Sequence, residues 1–254
     1  MKEIQIRKND AGQRLDRFVG KAVPLLPESL LQKYIRLKRI KRNGKGAKRD
    51  VRLVEGDVLQ LYINDEFFER PTEENAWLKI ATPRLDIVYE DENILLADKK
   101  PGVLCHSAGE WSWDTLISNI QAYLRQSGEW DPKAENAFTP ALCNRIDRNT
   151  GGIVIAAKNA EALRILNDKI RGREIEKSYL CVVCGRPKPA EGRLEGYLFK
   201  DAVKNQVYVT KKPQPGAKSA ATEYRTLQSS RGLSLVECRL LTGRTHQILS
   251  LIHI

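Results

Sequence analysis

The stretch Asn144-Arg145-Ile146-Asp147-Arg148-Asn149-Thr150-Gly151-Gly152-Ile153-Val154-Ile155-Ala156-Ala157 decides the reading of this chain. Residues 153–157 form an apolar run of strand length and read as a buried strand. The entry to that strand is polar and rich in glycine, and it sets an aspartate between two arginines. Nearby positive charge favours the ionised form of a carboxyl group, so Asp147 is a candidate catalytic carboxylate. An aspartate that hydrogen-bonds its own turn is the plainer alternative. On this stretch alone both readings stay open.

Working outward, Asn159 caps a helix whose apolar face holds Ala162, Leu163, Leu166 and Ile170. Upstream, residues 87–89 and 94–97 read as short strands around the turn Asp91-Glu92-Asn93, and residues 116–124 as a helix. Downstream, strands are expected over 179–183, 221–227 and 233–241, with a turn at 213–216. The pattern is α+β, a mixed and mainly antiparallel sheet flanked by helices.

Two further stretches carry candidate chemistry. In Glu176-Lys177-Ser178-Tyr179, alternation puts Lys177 and Tyr179 on one face of a strand. A tyrosine beside a lysine can stack on a base or move a proton; a half-buried edge tyrosine is the alternative. In Leu241-Thr242-Gly243-Arg244-Thr245-His246-Gln247-Ile248, six polar or glycine residues interrupt an apolar strand, as either a functional loop or a surface turn.

Of the 254 residues, 41% are hydrophobic, enough to bury a core. No apolar run approaches the length of a membrane span, and Met1-Lys2-Glu3-Ile4-Gln5-Ile6-Arg7 lacks the apolar segment of a secretory signal. A cytoplasmic protein is expected. The five cysteines are odd in number. Cys181 and Cys184 form a C-x-x-C pair with no second pair or histidines at zinc-like spacing, so core cysteines and no metal are expected.

The net charge of +11 is unevenly placed: residues 1–64 hold 16 Lys and Arg against 7 Asp and Glu, and the rest hold 27 against 25. From Lys33 to Arg49 there are nine basic residues and no acidic one. Such a run is either a solvated face or a surface for a polyanion. A membrane surface would want a strong apolar face beside it. Around the run lie a helix over 14–23, broken by Pro24 and Pro27, a second helix starting near Ser29, an Asn43-Gly44 turn, and two short strands around Glu55-Gly56-Asp57.

Residues 14–63, through R-L-D-R-F, P-E-S-L-L-Q-K-Y-I-R, I-K-R-N-G-K and V-R-L-V-E-G-D, resemble the S-four RNA-binding domain. The resemblance implies that Arg14, Arg36, Lys38, Arg39, Lys41 and Lys45 face RNA, mostly as positioning contacts to phosphate. The domain organisation expected is an S-four-like domain over 1–64, an acidic linker over 65–84 carrying Pro71 and Pro83, and a catalytic domain over 85–254.

Taken together, D-K-K-P-G-V-L-C-H, R-I-D-R-N-T-G-G-I-V-I-A-A-K-N, K-S-Y-L-C-V-V-C-G and T-G-R-T-H-Q-I resemble the motifs of the RluA-type RNA pseudouridine synthases, over about residues 85 to 248. The resemblance implies the pseudouridine synthase fold and a reaction without cofactor or metal. The bond from the ribose 1′ carbon to the uracil nitrogen is broken, the base turned, and the bond remade at carbon 5. The substrate is ribosomal or transfer RNA, and the enzyme is expected to be a monomer. Asp147 matches the essential aspartate, as nucleophile or as base; Tyr179 matches the active-site tyrosine; Arg145 helps hold a flipped nucleotide. Lys177, Arg244 and His246 are implied RNA contacts, and His106 is secondary.

The chain departs from the family pattern at Asn144, where His is more common, at Gly151, where Ser is, and at Leu249. The last stands where an arginine pairs with the catalytic aspartate. Residues 249–254 can be encoded by CTG-TCT-CTT-ATA-CAC-ATC, an adapter used in DNA library preparation. The expectation is a chain truncated at its C-terminus, with 249–254 not native, poorly soluble and inactive as it stands. Two other readings are an S-four-type RNA-binding protein that has lost catalysis, and a strand-rich enzyme acting on a small anionic substrate. The presence of both Asp147 and Tyr179 disfavours the first, and the basic N-terminal segment disfavours the second.

Overall fold

A computed structural model of the chain describes residues 1–68, 76–107, 113–201 and 206–252. It divides into two compact units, Met1–Asn167 and Asp168–Ile254. All strand pairs among the described residues are antiparallel.

The first unit begins with β1 (Lys2–Gln5), α1 (Leu15–Ala22), α2 (Glu28–Arg36), β2 (Ile40–Arg42), β3 (Lys45–Gly46) and β4 (Val58–Leu61), with sheet order β1-β4-β2-β3. The apolar faces of both helices close over this sheet, burying Leu15, Phe18, Val19, Leu31, Ile40, Leu59 and Leu61 completely. Asn43 and Gly44 both have positive φ, 50° and 78°, the signature of a tight hairpin turn between β2 and β3. α2 starts a residue before Ser29: Pro27 is its N-cap, and the Pro27 carbonyl accepts the Leu30 and Leu31 N–H groups. Only the second of the two strands expected around Glu55-Gly56-Asp57 forms. Residues 51–53 pair with residues 12–15 instead, through Leu15 N–H to Val51 O, Leu53 N–H to Gln13 O and Gly12 N–H to Leu53 O. The Asp57 carboxylate ties the turn between them. It accepts the Val54 N–H and the Asn43 side-chain amide, both at 2.8 Å, and lies 2.6 Å from Arg42 Nε.

The same unit continues through β5 (Ile87–Glu90), β6 (Ile94–Lys99), α3 (Leu116–Gln126), β7 (Ala141–Leu142) and β8 (Gly152–Ala157), with order β5-β6-β8-β7. Residues 69–75 of the acidic stretch 65–84 lie outside the described residues. Thr115 caps α3, its hydroxyl oxygen accepting the Ser118 N–H. Leu95, Val154, Ala156 and Ile120 fill the core beneath α3. Asn159 caps α4 (Ala160–Arg171) through the Ala162 N–H at 2.8 Å, and the boundary between the units falls inside α4.

The second unit is the sheet β11-β10-β12-β13-β9, formed by β9 (Ser178–Cys184), β10 (Glu191–Asp201), β11 (Gln206–Thr210), β12 (Lys218–Ser230) and β13 (Leu233–Leu240), followed by α5 (Gln247–Leu251). Neither β10 nor α5 is foreseen from sequence. Two glycines weaken the strand pattern of β10. At one of them, Gly196, a Cβ would meet Val209 at 3.3 Å and Leu251 at 3.6 Å, so the missing side chain lets β11 and α5 close over the strand. On the edge strand β9, residues alternate between half-buried and exposed. Cys181 faces inward with its Sγ 3.7 Å from that of Cys238, whereas Cys184 is exposed. The expectation of core cysteines therefore fails for Cys184. Three positions apart on a strand, the two cannot share a face or a ligand.

Candidate active site

Asp147 lies on an exposed loop leading into β8. The neighbouring loop, residues 100–105, leaves the adjacent end of β6, because Lys99 and Gly152 are opposite one another in the β6–β8 ladder. Three successive carbonyls around Asp147 are satisfied. That of Ile146 accepts the Cys105 thiol at 3.4 Å, that of Asp147 the Thr150 N–H at 3.1 Å, and that of Arg148 the Gly102 N–H at 2.8 Å and the Lys99 ammonium at 3.0 Å. The Arg148 guanidinium returns a hydrogen bond to the Gly102 carbonyl at 3.1 Å. Gly151 packs so closely on Pro101 that a Cβ would lie 3.2 Å from its ring. Asn144 serves as a clamp: its side-chain oxygen accepts the Ile155 N–H at 2.8 Å and extends the pairing of β7 with β8.

Arg145 is exposed, and its charge reaches His106. The His106 pKa is lowered, first by burial and then by this guanidinium, so the imidazole is neutral at pH 7.

Tyr179 and Lys177 belong to the second unit. Both are half-buried, and Tyr179 is directly opposite Cys238 in the β9–β13 ladder. Lys177 Nζ sits over Gly243, 3.5 Å from where a Cβ would stand. It also lines a groove of about 710 Å³ together with Arg173, Lys211 and Tyr197 and with two ion pairs, Arg193–Glu195 and Arg239–Glu176. Clustered cations with an aromatic ring suit a nucleic-acid backbone and its bases.

In the loop 242–246, Arg244 donates through Nε to the Ser219 carbonyl at 3.0 Å. His246 takes a left-handed conformation, φ 53°, at the start of α5. The loop is organised by Gln247, a residue that sequence reasoning left out of the site. Its buried amide oxygen accepts the Thr242 hydroxyl at 2.8 Å and the Arg244 N–H at 3.1 Å. Its NH₂ donates to the Ala221 carbonyl at 3.0 Å and the Thr222 hydroxyl at 2.9 Å. Lys99 was overlooked in the same way, since a lysine in a charged pair reads as surface. The available signal was its place at the end of an apolar strand.

In the N-terminal sheet and helices, Arg36, Lys38, Arg39 and Lys45 are exposed and Lys41 is half-buried. Arg39 lies over the Tyr34 ring and Lys41 over the Tyr62 ring, each at 5.2 Å. Arg14 is engaged locally: its guanidinium grips both oxygens of Asp16, at 2.6 and 3.1 Å.

The sequence pattern of the RNA pseudouridylate synthase family matches residues 93–252. An uncharacterized RNA pseudouridine synthase of Mycoplasma genitalium is 32% identical over 247 residues, covering 96% of this chain and 75% of its own. The ribosomal large subunit pseudouridine synthase C of Escherichia coli is 27% identical over 249 residues, covering 98% and 74%. The chain thus spans about three quarters of the length of these relatives. The solved structure of human RNA pseudouridylate synthase domain containing 4 shares the fold, with a TM-score of 0.53 and 21% identity, over 69% of this chain and 66% of that one. The chain belongs to the RNA pseudouridylate synthase family, and its function is that of an isomerase that makes pseudouridine in RNA.

Proposed function

We propose that the chain acts as a cytoplasmic monomer on uridines of ribosomal large-subunit RNA, through Asp147. The family match across residues 93–252 carries this reading, because it includes the loop of Asp147 and the strand of Tyr179. The relative named for the ribosomal large subunit supports that RNA over transfer RNA. Asp147 opens the glycosidic bond, as nucleophile at the 1′ carbon or as base. Arg145 helps hold the extruded nucleotide. The freed uracil turns and bonds to the same carbon through its carbon 5. Tyr179 stacks on the base and helps remove the carbon-5 proton. Residues 1–64 act as an S-four-type module, with Arg36, Lys38, Arg39, Lys41 and Lys45 on phosphates and Arg14 serving chiefly its own fold. Lys177, Arg244 and His246 add contacts near the reacting nucleotide.

The test is tritium release from RNA labelled at carbon 5 of uridine. Asp147→Asn is expected to lower release by at least about 1,000-fold while RNA binding survives, the loss typical of removing a covalent or acid–base group. Turnover within tenfold of the unaltered chain would remove Asp147 from the chemistry.

A further inference from the structure

Residues 1–64 are joined to the rest of their unit twice. The covalent link is the stretch 65–84. The second attachment is a set of contacts made by the end of β1 and by the segment 9–12. Asn136, just ahead of β7, inserts its side-chain NH₂ between these two segments. It donates to the Gln5 carbonyl at 2.8 Å and to the Asp10 carboxylate at 2.7 Å. Asn9 reaches the other way. Its NH₂ donates to the Glu135 carboxylate at 2.7 Å, and its side-chain oxygen accepts the Ala160 N–H at 3.3 Å. That N–H belongs to the first residue of α4, one of the donors that a helix start leaves without an internal partner. Ala137 packs on the core of the N-terminal sheet and helices, and Arg164 of α4 closes on Gly12 so tightly that no side chain would fit there.

Modules tied by a single link ordinarily move against one another. Asp10 changes the balance here. It is completely buried, the most withdrawn carboxylate among the described residues, and one of its oxygens has no hydrogen-bond partner. The other oxygen is held by the Arg7 N–H at 3.0 Å and by Asn136. A buried carboxylate is costly without its hydrogen bonds, so Asn136 is part of what makes the burial of Asp10 tolerable. These contacts gather at one end of β8, where Ala141 of β7 pairs with Ala157 and α4 begins at Ala160. The Asp147 loop enters β8 at its other end, Gly152, about 20 Å of strand away.

We propose that Asn9, Asp10 and Asn136 clasp the N-terminal module to this sheet, so that the basic run Lys33–Arg49 and the Asp147 loop meet one RNA as a rigid body of fixed span. The inference rests on residues 1–64 holding RNA and on Asp147 reacting. A fixed span makes the second contact intramolecular, with the highest effective concentration for RNA whose two sites match it. The clasp thus selects RNA by the distance between the phosphates held by the module and the target uridine.

Asn136→Asp and Asn9→Ala test it in the full chain, with a transcript of large-subunit ribosomal RNA as the probe. NMR relaxation of backbone amides reads how the module tumbles, and amide hydrogen exchange reads where RNA lies. In the parent, residues 2–61 and 87–157 are expected to tumble together, and RNA should protect 33–49 and 145–151 at the same concentration. Asn136→Asp sets a second carboxylate against that of Asp10. Residues 2–61 should then tumble faster than 87–157, while β6 and β8 keep the protection that loss of the fold would abolish. RNA should still protect 33–49 at the parental concentration, whereas protection of 145–151 should require at least about tenfold more. Separate tumbling in the parent, joint tumbling in Asn136→Asp, or an unchanged concentration for 145–151 overturns the proposal.

If Asn136→Asp does not fold, Asn9→Ala decides. It removes the contacts to Glu135 and Ala160 and leaves the Asp10 hydrogen bonds in place. Faster tumbling of 2–61 with about a threefold rise in the RNA needed to protect 145–151 supports the clasp, and parental values for both overturn it. Should RNA protect neither segment of the parent, the reading of residues 1–64 has failed. Should it protect 33–49 alone in a parent that tumbles as one body, the reading of the Asp147 loop has failed. In both cases the relaxation data still judge the clasp on their own.

Discussion

The loop of Asp147 and the loop 242–246 are both polar interruptions at the end of an apolar strand, and each has a buried polar side chain among its ties, but of a different kind. The first is locked from outside by Lys99, a donor that only gives hydrogen bonds and whose charge is costly to bury. The second is locked from within its own segment by Gln247, a neutral amide that both gives and accepts. A third anchor, Asp57, ties the N-terminal hairpin with a charge that only accepts. Donor-only, mixed and acceptor-only groups thus do one task, holding irregular backbone, with different dependence on pH and substitution.

The sharpest break of that comparison is Gln247→Leu. It leaves the Arg244 N–H and the Thr222 hydroxyl without this partner, and strips one of two hydrogen bonds each from the Ala221 carbonyl, which keeps the Leu241 N–H, and the Thr242 hydroxyl, which keeps the Ala221 N–H. These losses together should lower stability by about 3 kcal/mol, read from the urea midpoint. A loss under about 1 kcal/mol would mean that the loop is organised without this amide.

The next effect is on turnover. Leu249 is 59% exposed on α5, so an arginine fits there without displacing a core residue. The family resemblance implies an arginine at this position, so Leu249→Arg should raise pseudouridine formation about tenfold. Unchanged formation would assign that cation to another position.

Proton linkage separates the anchors more gently. Burial raises the Asp57 pKa, but the Val54 N–H, Arg42 and Asn43 outweigh it, and the net shift is downward. A carboxyl with a lowered folded pKa adds stability that is full above its unfolded value, about 3.9, and fades as pH falls through the folded value. Stability should therefore decline on acidification through pH 4, and Asp57→Asn should flatten the decline, measured by urea titration across pH 2–6. Gln247 has no such dependence, so an Asp57→Asn profile as steep as the parent's would assign the acid limb to other groups.

The smallest effect tests the two faces of the sheet at the β9–β13 pair. Burial pushes the Cys238 thiol up to about 12, whereas Cys184 is exposed. At pH 8, a thiol reagent followed by mass spectrometry should label Cys184 first and Cys238 only after unfolding. Early labelling of Cys238 would mean that this face of the sheet is open.

Much of this was legible because it is local chemistry. Asn43-Gly44 signals a turn in any context, since few residue pairs accept two positive φ values. Asn159 signals a helix start, and residues 153–157 a buried strand. The helix near Ser29 starts a residue earlier, because Pro27 supplies a suitable backbone for the cap. β10 was hidden because its two glycines report close approach of other elements, Tyr224 of β12 at Gly192 and β11 and α5 at Gly196, a fact about neighbours distant in sequence. Cys184 looked like core because a C-x-x-C pair in an apolar run conceals that strand alternation sends its members to opposite faces.

The sequence by itself determined which residues carry chemistry: a carboxylate between arginines, a tyrosine beside a lysine, a basic run with no acid in it. Side-chain type is a property of the chain, and it needs no fold to be read. Only the tertiary structure decided what holds them. That Lys99 reaches the carbonyl of Arg148 depends on β6 pairing with β8 in a register that sets Lys99 against Gly152. That Gln247 meets Thr222 depends on β12 lying beneath the loop. A buried hydrogen bond forms between groups the chain brings together from far apart, and no local pattern encodes that distance.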